Sequence, residues 1–303
     1  MNIIEVKALQ KHYGPIHAVK GIDFYVEKGS LFAFLGPNGA GKSTTINILS
    51  TLLAEDSGDV IVNGFVLGES DDQIRSSIGI VFQDGVLDPL LSIRENLLTR
   101  GSFYGLESDI LHQRIEDALK ITGIQDISHR RYGSLSGGQK RRADIARALV
   151  HKPKILFLDE PTTGLDPQTR RNVWETIKKL QEQEAMTVFL TTHYMHEADD
   201  ADYVVIIDEG TIVAKGTPTE LRDQYSKDSL QIKPKNTKDL LLFFKQNKIE
   251  YYQKNDLFIV KLTSTIESLD ILQKIRPLME SFQVLNGTLD DAFIEVTGKE
   301  IRE

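Results

Sequence analysis

The stretch Gly36-Pro37-Asn38-Gly39-Ala40-Gly41-Lys42-Ser43 constrains this chain more than any other. It fits G-x-x-x-x-G-K-[ST] at every fixed position. An apolar run, Leu31 to Leu35, precedes it, and a helical run, Thr44 to Leu53, follows. That strand–loop–helix setting is what the motif needs to cradle phosphate. Its glycines let backbone N–H groups turn inward without Cβ clashes. Those groups and the positive end of the next helix attract polyphosphate. Lys42 is then placed to reach terminal phosphates, and the Ser43 hydroxyl to ligate Mg²⁺.

The totals narrow the partners. A chain of 303 residues suggests one large domain and a smaller one. Its net charge of −8 argues against a sequence-independent nucleic-acid binder, so no nucleic acid is expected as a partner. There is no cysteine, which excludes disulfides, a thiolate nucleophile and Cys-ligated metal. The opening MNIIEVKALQ lacks a basic segment followed by a long apolar core, so no signal peptide is expected. The longest apolar runs, such as Tyr203–Ile207, fall far short of the ~20 residues of a membrane helix.

Alternation in Ile4–Val6 and Ile22–Val26, broken at Gly14-Pro15, predicts antiparallel sheet ahead of the loop. Asp59–Gly64 reads as a strand into a turn, and Ile78–Gln83 as a buried strand with a polar end. Helical periodicity in Ser92–Tyr104, in Asp109–Thr122 and after Gly138 predicts a mainly helical insertion over about 84–151. Ile155–Leu158 is an unbroken apolar run of the kind buried on both faces of a parallel sheet. A helix over Pro167–Gln183 follows, then a strand over Met186–Thr191. Tyr203–Ile207 and Thr211–Ala214 read as a hairpin. Lys215-Gly216-Thr217-Pro218 marks a boundary. A small α+β unit of about 75 residues starts near Ser229: strand Leu230–Ile232, helix Thr237–Lys245, strands Ile249–Gln253 and Leu257–Leu262, helix Ile266–Met279, strand Phe282–Val284, and a tail.

Asp159 and Glu160 end the buried 155–158 strand. Asp159 is placed to hold Mg²⁺ through water, and Glu160 could polarise an attacking water. Leu135-Ser136-Gly137-Gly138-Gln139 ends a loop and opens a helix, a second anion site for which one nucleotide on one chain has no obvious use. The basic run Lys140-Arg141-Arg142 reads as a solvated helix face.

Taken together these motifs resemble the ATP-binding subunit of an ABC transporter. The phosphate loop, LSGGQ at 135–139 and ILFLDEP at 155–161 carry the resemblance. Gln83, Gly164-Leu165-Asp166 and Thr192-His193 join them in matching order and spacing. The similarity covers about residues 2–222. It implies a P-loop ABC ATPase fold: a mixed-sheet core, an antiparallel β subdomain and the helical subdomain, followed by a small α+β accessory domain at 229–303. It implies that Gly36, Pro37, Asn38, Gly39, Ala40, Gly41, Lys42, Ser43 and Thr44 hold ATP and that Tyr13 stacks on adenine. Gln83, with Ser43 and Asp159, would face Mg²⁺. Glu160 would be the catalytic carboxylate, with Lys42 and with His193 keeping Glu160 and the γ-phosphate in geometry. Leu135, Ser136, Gly137, Gly138 and Gln139 would bind ATP held by a second chain, and Asp166 would bridge to that chain. The other six histidines read as surface polar residues.

The ending Gly287–Gly298, with Gln83–Pro89 and Thr192–Met195, is similar to daunorubicin-resistance-type ATPases. That implies an ABC-2-type exporter, a separate integral-membrane permease, a homodimer or heterodimer of ATPase chains, and a peripheral position on the cytoplasmic face of the cell membrane. Two positions depart from the pattern: Gly85, where Pro or Ser is common, and Asp144, where Glu or an apolar residue is more usual. Two competing readings remain, an importer ATPase and a soluble ABC ATPase acting on ribosomes or DNA. The tail argues against the first. The single cassette, absent heptads and acidic balance argue against the second.

Overall fold

The computed structural model describes residues 1–299. It divides into two compact units, Met1–Lys215 and a second from Gly216 onward. In the first unit the strands are β1 (Asn2–Tyr13), β2 (Ile16–Glu27) and β3 (Leu31–Leu35). Helix α1 (Lys42–Leu49) follows, then β4 (Ser57–Val62), β5 (Phe65–Val66), α2 (Asp71–Ser77) and β6 (Ile78–Val81). Three helices come next: α3 (Ile93–Gly101), α4 (Ser108–Ile121) and α5 (Gly137–Leu149). The unit closes with β7 (Ile155–Asp159), α6 (Pro167–Glu184), β8 (Thr187–Thr192), α7 (Met195–Ala198), β9 (Tyr203–Asp208) and β10 (Thr211–Gly216).

Two sheets result, as the resemblance implies. One is antiparallel, in the order β2-β1-β4-β5; the other runs β10-β9-β3-β8-β7-β6. In the second sheet the pairs β9–β3, β3–β8, β8–β7 and β7–β6 are parallel. Every residue of β3, β7 and β8 is buried. Continuous apolar runs such as LFAFL and ILFL suit strands covered on both faces. Phe24, Phe32, Phe34, Phe157 and Phe189 pack in one cluster that joins the two sheets.

Register sets the site. Leu35 pairs with Thr192, and Asp159 with Thr191. The carboxyl ends of three strands therefore lie level, and the loops that leave them share one edge, where open α/β sheets place ligands. Among the described residues, no helix is long and apolar enough to cross a membrane.

The second unit holds α8 (Pro218–Tyr225), β11 (Asp228–Pro234), α9 (Thr237–Asn247), β12 (Tyr252–Lys254), β13 (Leu257–Leu262), α10 (Ser268–Ile275), β14 (Met279–Leu285) and α11 (Leu289–Thr297). Its sheet is antiparallel, in the order β12-β13-β11-β14. Leu230, Ile232, Phe258, Val260 and Leu262 pack on Leu240, Phe244 and Ile275. One expectation needs correction, and the tail, read with no element of its own, gains one. The helix read over 266–279 stops at Ile275, because Pro277 cannot continue it. The tail is helical: Thr288 and Asp291 form a capping box that starts α11.

Candidate functional site

The loop after β3 turns tightly for a steric reason. A Cβ on Gly36 would lie 2.3 Å from the Ile207 carbonyl oxygen, and one on Gly41 2.7 Å from that of Ala18. Gly41 also sits at φ 108°, where only glycine is unstrained. Gly41 precedes α1, and Asn38, Gly39 and Ser43 are exposed while Gly36, Ala40 and Lys42 are buried. Pro37 and Thr44 lie between these extremes.

Lys42 Nζ donates to the carbonyls of Gly36 (2.8 Å) and Pro37 (3.1 Å) and lies 3.4 Å from Glu160 Oε1. On the other side Glu160 Oε2 lies 3.3 Å from His193 Nδ1. That pair is within ion-pair reach but lacks hydrogen-bond alignment, since His193 Nδ1 has no hydrogen-bond partner. Thr163 Oγ1 donates to the same Oε2 at 3.1 Å. Burial works against the charged Glu160. The Lys42 charge, then His193 and Thr163, outweigh it and hold the carboxyl below the usual range. Burial likewise pulls Lys42 below the usual lysine range, against the pull of Glu160 and Asp159. Glu160 is therefore ionised at neutral pH, as a proton acceptor must be.

Glu160 has φ 45°, unusual for a residue with a side chain. Such a conformation costs about 1–3 kcal/mol and persists where neighbours over-determine it. Its N–H is held by the Thr191 carbonyl (3.2 Å) and Thr191 Oγ1 (3.1 Å). Thr191 Oγ1 donates in turn to Asp159 Oδ1 at 2.6 Å, and Ser43 Oγ donates to the same oxygen at 3.3 Å. A hydroxyl and a carboxylate this close form the hard-oxygen pair that Mg²⁺ accepts, leaving its other positions to water and phosphate. This donor set fits the ion.

The structure thus brings Lys42, Ser43, Asp159, Glu160 and His193 together. Gln83 is exposed, two residues beyond β6. Tyr13 ends β1 and is 46% exposed, which leaves it accessible to a stacking partner. Beside it Asp56 accepts from Lys11 Nζ (2.7 Å), the His12 N–H (2.6 Å) and His12 Nδ1 (3.1 Å). These bonds, Lys11 foremost, lower the Asp56 carboxyl to about 2. Asp56→Asn should loosen the end of β1 and raise KM for ATP about two- to fivefold with kcat unchanged, the scale of an exposed ion pair. Steady-state ATPase kinetics check this.

Leu135–Gln139 stands apart. Among the described residues, no hydrogen bond joins it to the phosphate loop or Glu160. Ser136 caps α5 in a capping box with Gln139 and is exposed with Gly137. Leu135 and Gly138 are buried, and a Cβ on Gly138 would lie 2.1 Å from Thr169 Cγ2. Asp166 caps the neighbouring α6 through the N–H groups of Gln168 (3.1 Å) and Thr169 (3.0 Å). Two helix N-termini therefore pack side by side, with Ser136, Gly137, Asp166 and Gln168 exposed.

Sequence reading misplaces some residues. Arg141 is no solvated cation: it is 6% exposed and donates to the carbonyls of Asp159, Pro161 and Phe82. Arg142 is half-buried against the Gly123 carbonyl, and Lys140 lies over the Tyr132 ring. His151 stacks on Tyr104 and meets the Ile78 carbonyl at 2.8 Å, so it is not a free surface histidine. Glu197, 1% exposed, takes the hydroxyls of Thr162 and Thr192. That network fixes the loop carrying His193, and a chain-order pattern gives no sign of it.

Comparison with known proteins agrees with this geometry. The family model "ABC transporter" matches residues 19–163. A second model, "AAA domain, putative AbiEii toxin, Type IV TA system", matches residues 129–199. The linearmycin resistance ATP-binding protein of Bacillus subtilis is 42% identical over 75% of this chain and 73% of its own length. The daunorubicin/doxorubicin resistance ATP-binding protein of Streptomyces peucetius is 35% identical over 97% of this chain and 92% of its own. A Nod factor export ATP-binding protein of Cupriavidus pinatubonensis is 33% identical over 99% and 92%. Among solved structures, cbiO1 of Clostridium perfringens, part of an ABC transporter complex, superposes with TM-score 0.67, 33% identity and coverage of 73% of this chain and 90% of that one. An ATP-binding cassette solved as a dimer in a post-hydrolysis state with ADP and Pi gives TM-score 0.64 and 29% identity over 71% and 98%. The chain belongs to the ATP-binding subunits of ABC transporters, ATPases that couple hydrolysis to transport, in the branch that includes the drug-resistance and Nod factor export proteins.

Proposed function

We propose that this chain hydrolyses ATP to power export of a drug, antibiotic or related amphiphile through a separate ABC-2-type membrane subunit. The Lys42–Glu160–His193 contact carries the chemical part of the reading. Glu160 accepts the proton of a water that attacks the γ-phosphorus; the bond to the ADP oxygen breaks, giving ADP and phosphate. Lys42 neutralises the terminal phosphates, and His193 keeps Glu160 aimed at the water. Ser43 and Asp159, with Gln83, hold Mg²⁺, which when bound offsets charge on the phosphate oxygens. Tyr13 stacks on adenine.

Ser136 and Gly138 complete the site of a second ATPase chain, so two chains close head to tail over two ATP. ATP favours the closed pair because only that pair binds it from both sides. Residues 1–222 do this work, and 229–303 form an accessory domain. The chain sits peripherally at the cytoplasmic face of the membrane, held by its permease. The relatives' resistance and export names support the direction of transport.

Affinity purification of Glu160→Gln chains from native membranes in Mg-ATP tests this. A multi-span membrane protein is expected in the eluate. Only soluble partners, ribosomes among them, would end the transport assignment.

A further inference from the structure

We infer that Arg141 is the positioning residue of Glu160, tying it to the Gln83 loop and to the helix that begins at Ser136. The inference rests on the reading of Glu160 as the catalytic carboxylate. Arg141 Nε donates to the Pro161 carbonyl at 2.7 Å, and Nη2 to that of Asp159 at 2.8 Å. One guanidinium thus grips the chain immediately before and immediately after Glu160. Its Nη1 donates to the Phe82 carbonyl and lies 3.5 Å from that of Gln83. A planar fork with five N–H donors can hold carbonyls of two chain segments in one fixed geometry; the point charge of an ammonium cannot.

The purpose of such a grip follows from the backbone. Glu160 sits at φ 45° and needs to be held there. Thr191 holds its N–H; Arg141 holds the carbonyls on either side. Arg141 lies on α5, whose first turn carries Ser136 and Gly138. A shift of α5, produced by a nucleotide on the partner chain, or a shift of the Gln83 loop, produced by a membrane subunit, reaches Glu160 through this side chain. Among the described residues the guanidinium's hydrogen-bond partners are all carbonyl oxygens, so it orients backbone.

The test is ATPase kinetics of Arg141→Lys and Arg141→Gln, each also made in the Glu160→Gln background, with ATP affinity and thermal melting measured alongside. Arg141→Lys is expected to lower kcat about a hundredfold, the scale of a small misplacement of a reacting group, with KM for ATP within about twofold of wild type. In the Glu160→Gln background it is expected to cost less than about twofold more, because both changes disable one group. A structural role would instead lower ATP affinity and melting temperature equally in both backgrounds, and that result overturns the proposal. So does wild-type kcat in Arg141→Lys. Failure of both variants to fold assigns Arg141 to folding and overturns it too. If Glu160→Gln keeps its turnover, the Glu160 reading falls and this inference falls with it. If Glu160→Gln is inactive but Arg141→Lys is not, only this inference falls.

Discussion

Glu160→Gln is expected to lower ATP turnover about 10²- to 10⁴-fold while ATP still binds, because it removes a proton acceptor and little else. Glutamine keeps the shape and can still accept from Thr163, which lies 3.1 Å from Oε2. The backbone hydrogen bonds to Thr191 are untouched. What is lost is the charge that Lys42 and His193 hold in the ionised form. Chains that bind but do not hydrolyse should accumulate as closed pairs. Size-exclusion chromatography with Mg-ATP reads the pairing, and a coupled phosphate assay reads turnover. Retention of most turnover would remove Glu160 from its role.

Ser136→Asp is expected to cost about 10²- to 10³-fold in turnover, the scale of a lost donor at a developing oxyanion, with the fold unchanged. Aspartate caps a helix about as well as serine, so α5 should still start at Gly137. Ser136 is exposed, and no core contact is lost. The substitution does place a carboxylate where the account puts a partner's γ-phosphate. Like charges then oppose closure. ATP binding to the isolated chain should be near normal, since Ser136 does not touch its own phosphate loop. Binding by fluorescence and melting by calorimetry separate this outcome from simple unfolding.

Much of this site can be read from the chain. Gly36, Asp159, Glu160 and His193 stand at or just beyond the ends of fully buried strands, and Lys42 and Ser43 open the helix that follows one of them, so motif and burial reinforce one another. The remainder depends on contacts that periodicity cannot register. Arg141 looks like surface charge beside Lys140 and Arg142, yet its partners are main-chain carbonyls far away in sequence. Thr191 looks like strand filler, yet its hydroxyl joins Asp159 to Glu160. The two departures from the family pattern prove to be neighbours. A Cβ on Gly85 would lie 2.1 Å from the Tyr132 hydroxyl, and that hydroxyl donates to Asp144 Oδ2 at 3.0 Å. Tyr132 and Asp144 fill the space a side chain at 85 would need, so glycine there and aspartate in α5 belong together. The start of α11 is marked in the sequence by Thr288 and Asp291, the two ends of its capping box.

The claim that each site is completed by a second copy has a direct test. Glu160→Gln and Ser136→Asp chains are mixed one to one before Mg-ATP is added, and phosphate release is measured. Each alone should be nearly inactive. In a random mixture half the pairs are mixed, and each mixed pair holds one intact site, so about a quarter of wild-type turnover should return if sites act independently. A mixture as inactive as its components would contradict the account.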